Sequence, residues 1–265
     1  MDHAGKRPWR PPRAKKSLGQ NFLIDPNMLT RLVEALSLTA NDTVIEIGPG
    51  TGLLTERIQP LVRRCVAIEI DLHLVALLRH RFGACNNVQI IAGDVLKIDF
   101  TTFNADRLRV IGNIPYYITT PILFHILDRP GSICDMTLLM QKEVGQRIVA
   151  QPCSKEYGIL AIFSQAYADV EFLLTVPAGV FRPKPKVDSC LVRCTFSRER
   201  SNRIQEDGLF RRVVRTAFNQ RRKMLRATLK EFNLEKLSAW DLTRRPEDLT
   251  VAEWIQLSHD LHQEA

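Results

Sequence analysis

Four short apolar segments rich in β-branched residues recur about every 20 positions: Thr43–Ile47, Cys65–Ile70, Val88–Ile91 and Leu108–Ile111. Helically spaced residues fill the gaps between the first three, namely Leu53, Leu54, Ile58 and Leu61, then Leu74, Val75, Leu77 and Leu78. Few folds accommodate that alternation. A strand that is apolar along its whole length has both faces covered, and strands separated by helices join through crossovers into a parallel sheet. The expected class is therefore α/β. A further strand fits Met136–Met140, ahead of helical Glu143–Val149. Val170–Val176 and Val187–Phe196 are joined by Pro177–Lys186, too short for a helical crossover, so they are expected to pair antiparallel late in a mostly parallel sheet. Polar Ser197–Asp207 then reads as a linker. From Leu209 onward Phe210, Val213, Val214, Ala217 and Phe218 fall at helical spacing, as do Leu225 and Leu229. The expected organisation is a domain over 1–198 with a basic N-terminal arm and a small all-helical domain over 199–265.

Hydrophobic residues make up 45% and charged residues 25% of the 265 positions, which is ordinary for a globular protein with a core. No apolar run approaches the roughly 18 residues that span a bilayer, and no apolar stretch follows basic Met1–Lys16 as a secretory signal requires. Pro8, Pro11 and Pro12 oppose the amphipathic helix of a mitochondrial presequence, so a cytoplasmic protein without membrane contact is expected. The six cysteines form no C-x-x-C pair, and the histidines form no H-x-x-x-H. Cys190 and Cys194, on one face of a strand, are expected as buried thiols, and no metal site is expected. The net charge of +8 is concentrated: Met1–Lys16 holds six basic residues and one acid, Arg211–Lys230 eight and none, and the remainder is net acidic. Two basic patches on an acidic body point to a polyanionic partner. If one helix carried Arg211, Arg215, Arg222 and Arg226, they would line a single face.

The first strand runs into Glu46-Ile47-Gly48-Pro49-Gly50-Thr51-Gly52 and a helix. Such a glycine loop lets a ligand approach the main chain, and it serves either a dinucleotide or S-adenosylmethionine. The spacing is G-x-G-x-G rather than the dinucleotide G-x-G-x-x-G, and the preceding acid suits an amino group while repelling a pyrophosphate. Glu69, 21 residues after Gly48, is placed to accept both ribose hydroxyls, and Asp71 reads as a helix cap. The third strand ends Ala92-Gly93-Asp94-Val95, with a carboxylate for the adenine edge. Ligands bind at the carboxyl ends of such strands, so three successive ends converge on an adenosine cofactor.

The fourth strand ends Asn113-Ile114-Pro115-Tyr116-Tyr117. The tetrapeptide alone is also compatible with an ordinary strand-ending turn, since Pro115 holds Ile114 extended. Its position after the fourth strand fits methyl transfer to an exocyclic amine. The Asn113 side-chain oxygen and the Ile114 carbonyl would accept the two N–H bonds, and Tyr116 would stack on the ring. No general base is required, because the proton becomes acidic once the nitrogen is alkylated.

These blocks resemble the KsgA/RsmA-type ribosomal RNA adenine dimethyltransferases, relatives of the Erm methyltransferases. Matching segments are Lys16–Leu23, Val44–Thr55, Ile68–Asp71, Gly93-Asp94, Asn113–Ile118, Leu139–Val144, Ser154–Gly158, Phe181–Ser189 and Phe218–Lys223, spread over residues 13 to 230. The resemblance implies a Rossmann-like class I methyltransferase domain followed by a helical RNA-binding domain. It implies cofactor contacts at Asn21, Leu23, Gly48, Glu69, Asp94 and Asn113. Target-base contacts fall on Asn113, Ile114, Pro115, Tyr116 and Phe181, the last as a second stacking face where the residue alone also reads as core. Arg221, Arg222 and Lys223 become phosphate contacts. The implied reaction uses S-adenosylmethionine, giving S-adenosylhomocysteine, to dimethylate N6 of two adjacent adenines near the 3′ end of 16S rRNA in an immature 30S particle, with the enzyme a monomer. The alternatives are an Erm-like enzyme acting on 23S rRNA and a largely non-catalytic assembly factor.

Overall fold

The computed structural model describes residues 14, 15, 18–103, 105–127 and 133–262, so most of the basic arm, with Lys16 and Ser17, lies outside the described residues. The chain divides into two compact units, one of Met1–Ile133, Thr137–Gln141 and Leu174–Leu191, the other of Cys134–Met136, Lys142–Leu173 and Val192–Ala265.

In the first unit a two-residue strand, β1 (Phe22–Leu23), leads into helix α1 (Pro26–Leu36). α1 starts where it does because Asp25 accepts the Met28 N–H at 2.8 Å and Pro26 pre-sets the first turn. Then come β2 (Thr43–Ile47), α2 (Leu53–Ile58), β3 (Arg64–Glu69), α3 (Leu72–Phe82), β4 (Val88–Ala92), β5 (Leu108–Asn113) and α4 (Thr119–Leu127). β2 pairs in parallel with β3 and β5, and β3 with β4. All five residues of β2 are buried, Thr43 and Glu46 included, and Val44 packs with Leu36, Ile58, Cys65 and Ile111. Each such aliphatic side chain stabilises the fold by about 1.5–3 kcal/mol. Cys190 and Cys194 are buried thiols, as expected.

The remaining strands are β6 (Ile133–Gln141), β7 (Ala168–Val176), β8 (Phe181–Arg182) and β9 (Ser189–Phe196). The main sheet has seven strands in the order β4-β3-β2-β5-β6-β9-β7, mostly parallel with one antiparallel strand. The two late strands are neighbours in it. An unanticipated second sheet pairs β1 antiparallel with β8, Phe22 opposite Arg182 and Leu23 opposite Phe181.

The second unit holds α5 (Lys142–Ile148), α6 (Ile159–Tyr167), α7 (Arg198–Asn202), α8 (Asp207–Phe218), α9 (Leu225–Thr228) and α10 (Val251–His262). It differs from the expected boundary at 198/199, because it also takes in Lys142–Leu173. The reason is α6. Seven of its nine residues are buried, and it packs on α8 and α10, with Phe163 and Phe210 ring centroids 5.7 Å apart. The expected linker is partly helical, as α7. The single basic face does not form either. α8 stops at Phe218 and α9 starts afresh at Leu225, where the Leu225 and Arg226 N–H groups donate to the Arg244 and Leu242 carbonyls.

Candidate active site

A cleft enclosing about 1140 Å3, part of it open to solvent, lies at the carboxyl ends of β2 to β5. The loop after β2 turns through three glycines in the left-handed region, Gly48 at φ +64°, Gly50 at +59° and Gly52 at +79°. Gly50 also lies close under Phe22: a Cβ there would stand 3.0 Å from the ring, which would have to give way. The residue type thus lets β1 close against the loop.

Glu69 ends β3 and is 4% exposed. One carboxylate oxygen accepts the Gly50 N–H at 3.2 Å and the other the Asp71 N–H at 2.9 Å. Burial pushes this carboxyl above its ordinary range, against the pull of those backbone bonds. Asp71 caps α3 as expected, accepting the His73 N–H at 3.0 Å. It also accepts from Lys15 Nζ at 2.8 Å and Gln20 Nε2 at 3.2 Å, contacts that no local pattern announced. Asp94 spends one oxygen on the Leu96 N–H at 3.0 Å, while a Cβ added at neighbouring Gly93 would meet nothing within 4 Å. The strand end therefore borders open volume.

Asn113 closes β5, and its Nδ2 donates to the Asn21 carbonyl at 3.0 Å. That bond assigns the amide's orientation and leaves Oδ1 as the acceptor. Asn21 is itself steadied by its Nδ2 bond to the Gly19 carbonyl at 3.1 Å. Ile114 is buried, and the half-buried Tyr116 has its hydroxyl 2.8 Å from Ser189 Oγ. Burial raises the Tyr116 pKa, keeping the phenol neutral, although the Ser189 bond works the other way. Asn21, Leu23, Gly48, Glu69, Asp94, Asn113, Ile114, Pro115 and Tyr116 all line the one cleft.

Phe181 departs from expectation. Its ring is 1% exposed and it is not among the cleft's lining residues. It sits opposite Leu23 in the small sheet, beside a lining residue and itself buried.

Glu46 also lines the cleft, a carboxylate in the middle of the otherwise apolar β2. It is 2% exposed and accepts the Thr55 hydroxyl at 2.6 Å. Burial pushes its pKa up to about 7; the Thr55 bond lowers it and Glu69 raises it. A folded-state pKa above the unfolded value of 4.5 means stability fully present below the unfolded pKa and lost as pH rises through about 7. Glu46→Gln keeps an acceptor for Thr55 and removes the buried charge. In the ligand-free protein it should therefore stabilise by about 2–3 kcal/mol at pH 8 and by little at pH 5, measured by urea unfolding. Equal effects at both pH values would place the charge elsewhere.

Over residues 12–262 the chain matches the family model for ribosomal RNA adenine dimethylase. It is 45% identical over 249 residues to the ribosomal RNA small subunit methyltransferase A of Chlorobium phaeobacteroides, covering 93% of each chain. The protein of the same name from Pseudomonas aeruginosa is 41% identical over 254 residues, with 94% of this chain and 95% of that one covered. Among solved structures it resembles a dimethyladenosine transferase from Plasmodium falciparum, with a TM-score of 0.80 and 25% identity over 89% of this chain and 95% of that one. The 23S rRNA methyltransferase ErmE follows at a TM-score of 0.71, 25% identity, and coverage of 92% and 100%. With a family match along almost its whole length and relatives above 40% identity, this chain belongs to the ribosomal RNA adenine dimethylase family.

Proposed function

We propose that this protein transfers methyl groups from S-adenosylmethionine to N6 of two adjacent adenines near the 3′ end of 16S rRNA, acting as a monomer on the immature 30S particle in the cytoplasm. The observation that carries this reading is the Asn113 amide, clamped by Asn21 with Oδ1 left to accept, at the end of a cleft bordered by Glu46, Glu69 and Asp94. Those acids fit the cofactor. Glu69 has lone pairs left for two ribose hydroxyls, Asp94 borders the open side of Gly93, and buried Glu46 suits an ammonium group. Asn21, Leu23 and Gly48 complete the wall. Among the described residues no helix is long and apolar enough to cross a membrane.

When bound, S-adenosylmethionine supplies a methyl group made electrophilic by its sulfonium. The chain's own residues do the rest. An aromatic amine is a poor nucleophile because its lone pair is delocalised into the ring. Accepting one N–H at Asn113 Oδ1 and the other at the Ile114 carbonyl favours a pyramidal nitrogen with its lone pair aimed along the cleft. Tyr116, fixed by Ser189 and kept neutral by burial, stacks on the base.

The RNA surface we assign to the second unit is narrower than the charge count. Arg211 is bonded to Asp207 and Tyr167, Arg212 and Arg215 lie over Phe232 and Phe163, and Arg221 is held by Glu247 and the Ser154 and Lys155 carbonyls. Arg222, Lys223, Arg226 and Lys230 are exposed, as are Arg212 and Arg215 beside their rings. Arg222→Glu with Lys223→Glu should weaken RNA binding and reduce the magnitude of its log–log salt slope by about 2. Arg221→Ala should instead cost about 1–2 kcal/mol in urea unfolding, a half-exposed site discounting the lost bonds. An unchanged salt slope in the double variant would move the RNA surface off this patch.

The direct test is labelled methyl transfer to unmethylated 30S particles, 50S particles and duplex DNA, followed by nucleoside analysis. N6,N6-dimethyladenosine from 30S alone is expected. Label on 50S would favour an Erm-like target, and tight 30S binding without label an assembly factor.

A further inference from the structure

Among the described residues Tyr117 is one of the few large apolar side chains left in solvent, 63% exposed, yet it lines the cleft directly beside Tyr116. Its ring is not loose. A Cβ added at Gly19 would lie 3.2 Å from its Cδ1 and Cε1, so the bare backbone of Gly19 supports the ring from one side. Gly19 has φ +59°, and Pro115 lies against the same spot. Among the described residues the Tyr117 hydroxyl has no hydrogen-bond partner. An aromatic ring backed by main chain and open on its other side at the rim of a base pocket is a platform.

Extracting a base from a strand uncovers the faces of its neighbours, and a protein that stacks them recovers that loss without reading sequence. Tyr116 and Tyr117 are consecutive, as are the nucleotides they would meet. We infer that Tyr117 stacks on the base flanking the target adenine, holding the strand open while Tyr116 holds the target; this rests on the RNA-methylating reading above. Tyr117 is thus a substrate-positioning residue, acting on a base that receives no methyl group in that encounter.

The test uses small subunits reconstituted with 16S rRNA that is intact or carries an abasic residue on either side of the target adenine. On intact RNA, Tyr117→Ala should lower kcat/KM about 10- to 100-fold, mainly through KM, with S-adenosylmethionine affinity and melting temperature held. The loss should largely vanish on one of the two abasic substrates, and Tyr117→Trp should restore the rate on intact RNA. A loss of equal size on all three substrates would overturn the inference, as would no loss at all. So would a parallel fall in cofactor affinity, since the ring would then merely brace the Gly19 segment. Absence of transfer by the wild-type protein on every particle would instead sink the methylation reading and this inference with it.

Discussion

Asn113→Ala should lower single-turnover methyl transfer about 100- to 1000-fold, the loss typical of removing one oriented hydrogen-bonding group from a reacting centre. Cofactor binding should weaken by less than about tenfold, since Glu69 and Asp94 remain. The asymmetry follows from the clamp. Nδ2 is committed to the Asn21 carbonyl at 3.0 Å, and Oδ1 is the atom offered to substrate. Asn113→Asp is the sharper control, because it puts an anionic oxygen against that carbonyl and breaks the orientation while keeping the shape. Rapid-quench transfer from labelled cofactor, beside calorimetry with S-adenosylmethionine, separates the two effects. Equal losses in transfer and affinity would assign Asn113 to the cofactor instead of the base.

Glu69→Ala should weaken S-adenosylmethionine and S-adenosylhomocysteine alike, by at least about 100-fold, because hydrogen bonds to a charged acceptor contribute about 1.5–3 kcal/mol each and two ribose hydroxyls are at stake. The variant also frees the Gly50 and Asp71 N–H groups that the carboxylate holds at 3.2 and 2.9 Å, loosening the glycine loop. Glu69→Gln keeps one acceptor and should fall between. Affinity of the wild-type protein should drop as pH falls toward the raised pKa of this buried carboxyl, whose protonation removes an acceptor. Calorimetry over a pH series checks both expectations; unchanged affinity in Glu69→Ala would place the ribose elsewhere.

What the sequence made legible is what repeats locally. The four strands of the parallel core fell within a residue or two of their expected positions, because each is a short run dominated by apolar, β-branched residues between glycine or polar breaks. The strand-end acids followed, since a parallel sheet delivers them to one rim. α6 was not legible, because a short, almost wholly apolar run reads as readily as a buried strand as a helix. Nor was the β1–β8 pair, in which two residues meet two across most of the chain. Phe181 was expected on the rim from the family resemblance, while the residue alone read as core, and it is buried opposite Leu23. Glu46 did leave a signal, an acid inside an apolar strand. Its consequence, a carboxyl titrating near neutrality, required knowing how completely the surrounding layers cover it. Arg221 shows the converse error, a cation counted toward a surface and found tied to Glu247.

The small sheet of β1 and β8 also sets a clock. Phe22 and Arg182 are 160 positions apart, 182 minus 22, so on the ribosome the first strand emerges long before the one it pairs with. At about 5–20 residues per second the wait is roughly 8–30 s, time enough for the intervening parallel strands to collapse. The cleft wall formed by Asn21, Phe22 and Leu23 is left without its backing strand until Phe181 has been made. That wall of the cleft is thereby completed only in the last third of synthesis.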